Sequence, residues 1–179
     1  YRRPFDILAG FDTDAVGTAD PDLQGPPWSG GNLAISDSET RLGTALILAQ
    51  NNIDANNDGI LDNPDDEGLR PAGRIEMTFA NPVPVFGLDI IDIEGSVREF
   101  SSIVFYANGA ARGVVDFEDF ETPGNPYYDP TVQFGNKTAN RIQPIAATDF
   151  GIAGFDRIVI YVGGSSAYDT FVVPAPATA

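Results

Sequence analysis

An acidic segment at residues 54–66 carries the residue types and the spacing that calcium binding needs. Oxygen-bearing side chains stand at positions 1, 3, 5, 9 and 12 of the twelve residues 54–65, and Gly59 stands at position 6. Ca²⁺ takes about six to eight oxygen ligands, so the chain must wrap tightly around it, with a sharp bend at the glycine and a carbonyl ligand at position 7. The predicted ligands are Asp54, Asn56, Asp58, the carbonyl of Ile60, Asp62 and Asp65, with Asp66 or Glu67 replacing Asp65 if the register shifts.

Electrostatic repulsion is a second argument for a bound cation. Two carboxylates about 4 Å apart repel by about 4 kcal/mol at an effective dielectric constant of ~20. Acids held together in one turn therefore need a counter-ion, whereas a solvated, disordered loop keeps them apart. Both interpretations remain open for residues 54–66, and the spacing favours calcium that holds a loop in place rather than calcium that switches a helix pair.

Two further acidic clusters are candidates for a metal site. Asp20 and Asp22 lie in a long loop rich in aspartate and glycine, and Asp89, Asp92 and Glu94 lie at the end of an apolar segment. Each cluster is equally compatible with metal ligands and with a solvated polar surface.

The composition excludes several kinds of chemistry. The 179 residues include no cysteine and no histidine, which excludes disulfides, thiolate sites and Ser-His catalysis. The net charge of −16 repels nucleic-acid phosphates and anionic lipid, and no apolar stretch reaches the ~20 residues that span a bilayer, so we expect neither nucleic-acid binding nor membrane insertion. Catalysis would have to use carboxylates, and since no spacing marks a catalytic pair, we expect no enzyme.

Short apolar segments between turn residues are the elements that must position these side chains. In one of them Ile75, Met77 and Phe79 alternate with polar residues, as a half-buried strand requires. The pattern predicts strands at 5–9, 32–36, 45–50, 74–79, 85–93, 102–107, 113–117, 131–134, 141–144, 157–162 and 170–173, with a helix at 40–48 as the alternative to the strand at 45–50.

Many short strands without a helical period predict an all-β fold. We expect a two-sheet antiparallel β-sandwich of jelly-roll type, with long loops held by calcium. One domain covers residues 1–173, in which 1–10 is a candidate exchange strand, and residues 174–179 form a Pro/Ala tail. The dipeptide Asn108-Gly109 predicts a tight hairpin.

Several short motifs resemble a known group of proteins. They are Asp20-Pro-Asp-Leu23, Gly31-Asn-Leu-Ala-Ile35, Pro64-Asp-Asp66 with Gly73-Arg-Ile75, and Leu88-Asp-Ile-Ile-Asp-Ile-Glu94. In this order they resemble uncharacterised secreted bacterial β-sandwich domains that are similar to lectin-like jelly rolls. The 54–65 spacing resembles the calcium loop of EF-hands and dockerins. Residues 173–176 resemble an exosortase (PEP-CTERM) sorting tag, with Ala175 in place of its glutamate. These resemblances imply a bacterial extracellular or cell-surface location.

The N-terminal segment favours a structural or adhesive role through self-association. Phe5 and Ile7 belong to a short apolar segment, and Arg2 and Arg3 before it form a basic pair in an acidic molecule. A terminal strand can pair with the exposed edge of a neighbouring molecule, and such a head-to-tail contact builds filaments when it does not close. Alternatively, the segment belongs to its own sandwich and the arginines are solvated.

Three aromatic residues favour a second hypothesis, calcium-dependent binding of extracellular polysaccharide. Trp28 lies in a Gly/Pro-rich segment, and Tyr127 and Tyr128 lie between two prolines. Flat rings beside aspartate oxygens and a calcium ion are typical of sugar recognition. Alternatively, Trp28 closes one end of the sandwich and the tyrosines cover a strand edge.

Overall fold

The apolar segments pair into antiparallel sheets. The computed structural model describes residues 7–18, 20–66, 68–95 and 99–174. The strands are β1 (Ile7–Asp12), β2 (Thr44–Ala49), β3 (Gly73–Val83), β4 (Val85–Ile91), β5 (Ser102–Ala107), β6 (Ala110–Asp116), β7 (Ala139–Arg141), β8 (Ile145–Ala146), β9 (Phe155–Val162) and β10 (Ala167–Val172). The helices are α1 (Gly31–Asp37) and α2 (Phe117–Glu121), and short 3-10 turns lie at Pro21–Leu23 and Ala147–Phe150.

The strands form two sheets with a shared core. One sheet has the order β1-β2-β10-β4-β7, with β8 also paired to β4, and the other has the order β3-β9-β5-β6. Every pairing between these strands is antiparallel. Ile90 and Tyr168 of the first sheet and Ile103 and Ile160 of the second belong to one buried cluster. The prediction of a mostly β fold with two antiparallel sheets is confirmed.

Side-chain alternation sets the register of the second sheet. In β3, Ile75 is buried and Met77 and Phe79 pack against the core, whereas Arg74 and Glu76 are exposed. A shift of one residue would exchange the two faces, so burial holds β3 in its pairing with β9. Asn108 and Gly109, at φ 54° and 74°, join β5 to β6 in the predicted hairpin, because both central residues of such a turn need positive φ.

The outer face of the first sheet has a core of its own. Three side chains of this face point away from the second sheet, namely Ala45, Ile47 and Ile91. They pack beneath Trp28 and Leu33, which belong to the long connection between β1 and β2. Strand β4 is therefore buried on both faces. We call the part of this connection at residues 20–43 the covering segment. It includes α1 and lies against the sheet, so it places Asp20 near the strand ends.

Three predicted strands are corrected by the structure, one of them at 141–144, where only Arg141 belongs to a strand. Residues 32–36, predicted as a strand, lie in α1, where Leu33 faces the outer core and the Asn32 side chain bonds the backbone of Arg141. Residues 131–134, also predicted as a strand, form an irregular segment whose Val132 is buried. At 44–49 the strand is confirmed and the alternative helix is wrong.

Part of the proposed assembly segment lies outside the described residues. The residues concerned are Arg2, Arg3 and Phe5. Residues 175–179 of the tail also lie outside the described residues. Ile7 begins β1 and pairs with Ala49 of the same molecule, so residues 7–10 of the candidate exchange strand lie in their own sheet. None of the helices in the described ranges is long and apolar enough to cross a membrane.

Candidate metal centre

Three aspartates from two separate parts of the chain converge at one end of the first sheet. Asp20, Asp65 and Asp66 each offer a carboxylate oxygen, and these oxygens lie within 4.8 Å of one another. Asp20 and Asp66 are buried and Asp65 is half-buried. Among the residues that the structure describes, this is the group of three acids with the spacing of a metal site.

Local hydrogen bonds hold each of these aspartates in place. Asp20 begins the 3-10 turn at Pro21–Leu23, and its Oδ1 accepts a hydrogen bond of 3.0 Å from the N–H of Asp22. On the β2–β3 connection, the Asp65 carbonyl accepts a 2.8 Å bond from the N–H of Gln50, and Asp66 forms an isolated bridge with Ala49. The cluster is therefore anchored to the end of β2 and to the covering segment.

Asp92 and Ser165 extend the cluster on its inner side. Ser165 lies between β9 and β10, and its Oγ is 2.8 and 2.9 Å from the two carboxylate oxygens of Asp66 and 3.4 Å from Oδ2 of Asp92. The backbone N–H of Lys137 donates a 2.6 Å bond to Oδ1 of Asp92. Four connections thus contribute oxygen atoms to one small region.

Burial raises the pKa values of Asp20, Asp66 and Asp92. Loss of solvation, with a smaller contribution from the neighbouring charge of Asp20, raises the pKa of Asp66 to about 8 and that of Asp92 to about 7. Loss of solvation also raises the pKa of Asp20. Burial in a low-dielectric environment disfavours the charged form, so Asp66 is mostly protonated at neutral pH.

The donor set fits a hard cation. Within the described residues, no arginine or lysine forms an ion pair with Asp20, Asp65, Asp66 or Asp92. Carboxylate and hydroxyl oxygens without sulfur or imidazole suit Ca²⁺ or Mg²⁺ rather than a transition metal. A buried acidic cluster without a counter-charge could hold such an ion.

The predicted twelve-residue loop divides into two parts. Asp65 and Asp66 lie in the buried cluster, whereas Asp54, Asn56, Asp58, Ile60 and Asp62 form a separate turn at the surface. In this turn the Asp54 carboxylate accepts bonds from the N–H groups of Asp58 and Gly59, and Oδ2 of Asp62 accepts one from Ala55. The structure therefore separates residues 54–62 from Asp65 and Asp66, and which of them bind an ion stays a prediction.

Two members of the weaker clusters have cationic partners instead. Asp89, only 1% exposed, forms a two-pronged ion pair with Arg141 at 2.9 and 2.7 Å. Glu94 forms an ion pair with Arg70, which also contacts Glu99. These contacts explain why Asp89 and Glu94 stand apart from Asp92, although the three are close in sequence. Asp22 lies beside the cluster, and its charge raises the pKa of Asp92.

The three predicted aromatic ligands differ in their accessibility. Trp28 is 3% exposed, and its Nε1 donates a 2.7 Å bond to the carbonyl of Thr40, so its ring has no face for a sugar. This corrects the expectation of an exposed ring and agrees with the alternative that Trp28 is a buried plug. Tyr127 and Tyr128 line a surface cavity, described below.

Sequence patterns alone missed the partnership of Asp20, Asp66, Asp92 and Ser165. Ser165 lies in a run of glycines and serines that carries no recognisable signal. Ninety-nine residues separate it from Asp66, and only the pairing of β10 between β2 and β4 brings the two together.

Comparisons with known proteins give no relative for this chain. No protein-family model, no curated protein and no solved structure matches it. Fold and function therefore rest on the chain's own residues.

Proposed function

We propose that this chain is a non-catalytic, calcium-stabilised structural or adhesive domain. The observation that carries the proposal is the cluster of Asp20, Asp65 and Asp66, which is largely buried and has an oxygen of each residue within 4.8 Å of the others. A Ca²⁺ ion there would be held by these carboxylates together with Asp92, and would fasten the β1–β2 and β2–β3 connections to the sheet.

The ligands lie on several connecting segments of the chain, and this arrangement favours Ca²⁺ over Mg²⁺. Mg²⁺ demands a near-ideal octahedron and keeps several water molecules, whereas Ca²⁺ accepts about six to eight oxygens in flexible arrangements. Here the oxygens come from four connecting segments. The surface turn of Asp54, Asp58 and Asp62 is a candidate second site, because the backbone of the turn already folds around the carboxylates of Asp54 and Asp62.

The strand order supports a jelly-roll topology. Without β1 and the short β8, the two sheets have the orders β2-β10-β4-β7 and β3-β9-β5-β6. Each sheet then alternates early and late strands, as the chain of a rolled-up double hairpin does. This topology agrees with the lectin-like resemblance of the motifs, and that resemblance supports a location at the bacterial cell surface or outside the cell.

Edge strand β1 supports self-association as part of this role. In the described part of the chain, β1 pairs with β2 alone, so its other edge presents backbone groups to a neighbouring molecule. Arg2, Arg3 and Phe5 precede this strand and would meet the acidic surface of the next copy. Size-exclusion chromatography and electron microscopy with calcium and with EDTA test this; a persistent monomer in millimolar calcium contradicts it.

A calcium titration tests the central proposal. Binding to the folded state alone raises the melting temperature as free calcium increases. We expect isothermal titration calorimetry to detect binding that Asp20→Asn and Asp66→Asn each abolish. The double variant Asp54→Asn/Asp58→Asn separately reports on the surface turn. Equal melting temperatures in EDTA and in millimolar calcium would refute the proposal.

A further inference from the structure

A surface cavity of about 550 Å³ lies beside the β7–β8 edge of the first sheet. Its wall includes Tyr127, Tyr128, Asp129, Gln143 and Asp149, which come from the segment after α2, the β7–β8 connection and the following 3-10 turn. This volume falls within the roughly 300–1,000 Å³ typical of small-ligand sites. The cavity is therefore large enough to hold a small organic molecule.

The wall of this cavity is packed against the core. Tyr127 packs against the core, with its ring centroid 6.5 Å from that of Phe150. Buried Phe120 and Val132 form part of the floor, and Pro126, Pro130 and Pro144 restrict the backbone around the opening. A site that is already ordered loses little conformational entropy when a ligand binds.

The polar groups of the cavity are available to a ligand. Within the described residues, no hydrogen bond engages the hydroxyl groups of Tyr127 and Tyr128 or the side-chain amide of Gln143. Asp129 accepts a 2.8 Å bond from the N–H of Thr131 through Oδ1, and its second oxygen stays available. The cavity thus offers both donors and acceptors, which suit a ligand rich in hydroxyl groups.

The charge of the wall selects against anions. Asp129 and Asp149 line the cavity, and none of the lining residues is basic. The net charge of −16 adds a repulsive field over the whole molecule. Acidic polysaccharides built from uronic or sulfated sugars are therefore disfavoured.

We propose that this cavity binds a short stretch of neutral oligosaccharide. The sugar's apolar C–H face would lie against Tyr128, and its hydroxyl groups would donate to Asp129, Asp149 and the Gln143 carbonyl. Tyr128 is 37% exposed, so its ring is accessible without rearrangement of the fold. Aromatic rings combined with a few convergent polar groups are the usual makeup of such sites.

This site does not require the metal cluster. The N–H of Ile142, a cavity residue, bonds the carbonyl of Leu88, which precedes Asp92 by four positions on the same segment. Four residues of extended chain span about 13 Å, so an ion at the cluster lies too far away to coordinate the bound sugar. Sugar binding and calcium binding can therefore fail separately.

A glycan array carrying neutral, acidic and amino-sugar oligosaccharides tests the proposal, followed by calorimetry with the best neutral oligosaccharide. We expect binding in the neutral arm. The variants Tyr128→Ala and Gln143→Ala should each weaken it at least tenfold. Tyr161→Ala is the matched control, because Tyr161 is 39% exposed but lies on β9 of the other sheet. The affinity for the oligosaccharide should change by no more than twofold when EDTA is added, at a temperature where the protein remains folded. The same holds for the variant Asp66→Asn.

Several results would overturn the proposal. They are no binding in the neutral arm, an unchanged affinity in Tyr128→Ala, an equal loss in Tyr161→Ala, or stronger binding of oligolysine or an acidic glycan than of every neutral one. A loss of sugar binding in EDTA while circular dichroism shows a folded protein would instead place the sugar at the metal.

Discussion

Ser165 and Asp66 stand 99 positions apart in the sequence, and the Ser165 hydroxyl lies 2.8 and 2.9 Å from the two carboxylate oxygens of Asp66. A hydroxyl group has one hydrogen, so it donates to one of these oxygens at a time. The contact joins the β9–β10 connection to the β2–β3 connection. Any change in the charge of Asp66 is therefore felt by two distant segments at once.

The raised pKa values predict how stability depends on pH in the absence of calcium. The pKa of Asp66 is about 8 and that of Asp92 about 7, against 3.8 for an ordinary aspartate, because burial disfavours the charged forms. Between about pH 4 and pH 8 the folded state holds more protons than the unfolded state, so the free energy of unfolding falls as pH rises. We expect the melting temperature in EDTA to decrease from pH 5 to pH 8.

Calcium should reverse this trend. The ion replaces the protons, so its affinity rises with pH across the same range. Melting curves at pH 5, 6, 7 and 8, in EDTA and in saturating calcium, measure both slopes. Parallel slopes in the two conditions would contradict the assignment of Asp66 and Asp92 to the ion's surroundings.

Replacing Asp66 by asparagine should have opposite effects with and without calcium. In EDTA at pH 8 the variant loses a buried, repelled carboxyl group and should melt at a higher temperature than the wild type. In saturating calcium it lacks a ligand and should melt at a lower temperature. Differential scanning calorimetry measures both changes.

Glu118→Gln is the control for this experiment. It removes one negative charge at an exposed position of α2. Surface substitutions of this kind usually change stability by no more than about 0.5 kcal/mol. A variant Asp66→Asn that behaves like Glu118→Gln in both conditions would show that the cluster holds no ion.

Sequence patterns predicted the elements whose local chemistry is strong. The alternation of Ile75 and Met77 with polar neighbours predicts a strand, and the Asn108-Gly109 pair predicts a hairpin; the structure has both. Residues 32–36 form a short segment that is apolar at three positions, which suits either a strand or a helix. The choice depends on packing, because Leu33 must reach the outer core that the sheet and Trp28 form.

The candidate site could be predicted from the sequence only in part, for a related reason. The spacing of residues 54–65 is a local signal, and its last member, Asp65, lies in the buried cluster beside Asp66. Their partners Asp20 and Asp92 come from other connections, and their approach depends on which strands are neighbours in the sheet. A single sequence carries no record of that neighbourhood.

The ion pair of Asp89 and Arg141 should stabilise the fold markedly. Asp89 is buried, so removing its partner in Arg141→Met leaves an uncompensated charge on β4. Because Arg141 is half exposed, we expect a loss of about 2 kcal/mol in the free energy of unfolding, below the ~3–5 kcal/mol of fully buried pairs. Urea denaturation in saturating calcium measures it.

Arg41→Met is the matched control for this pair. Arg41 contacts Asp14 at 2.8 Å, but its side chain is largely exposed. Exposed ion pairs contribute about 0–1 kcal/mol. Equal losses in the two variants would mean that burial of Asp89 does not matter.

The single tryptophan reports on the segment that covers the first sheet. Trp28 packs so closely on Gly25 that a Cβ at position 25 would lie 2.5 Å from the indole ring. The variant Gly25→Ala should therefore displace the ring towards water, shift its fluorescence to longer wavelength and increase quenching by acrylamide. Gly68→Ala is the control, because its added Cβ meets no atom within 4 Å. Wild-type emission and quenching in Gly25→Ala, as in Gly68→Ala, would mean that the ring of Trp28 is not held against position 25.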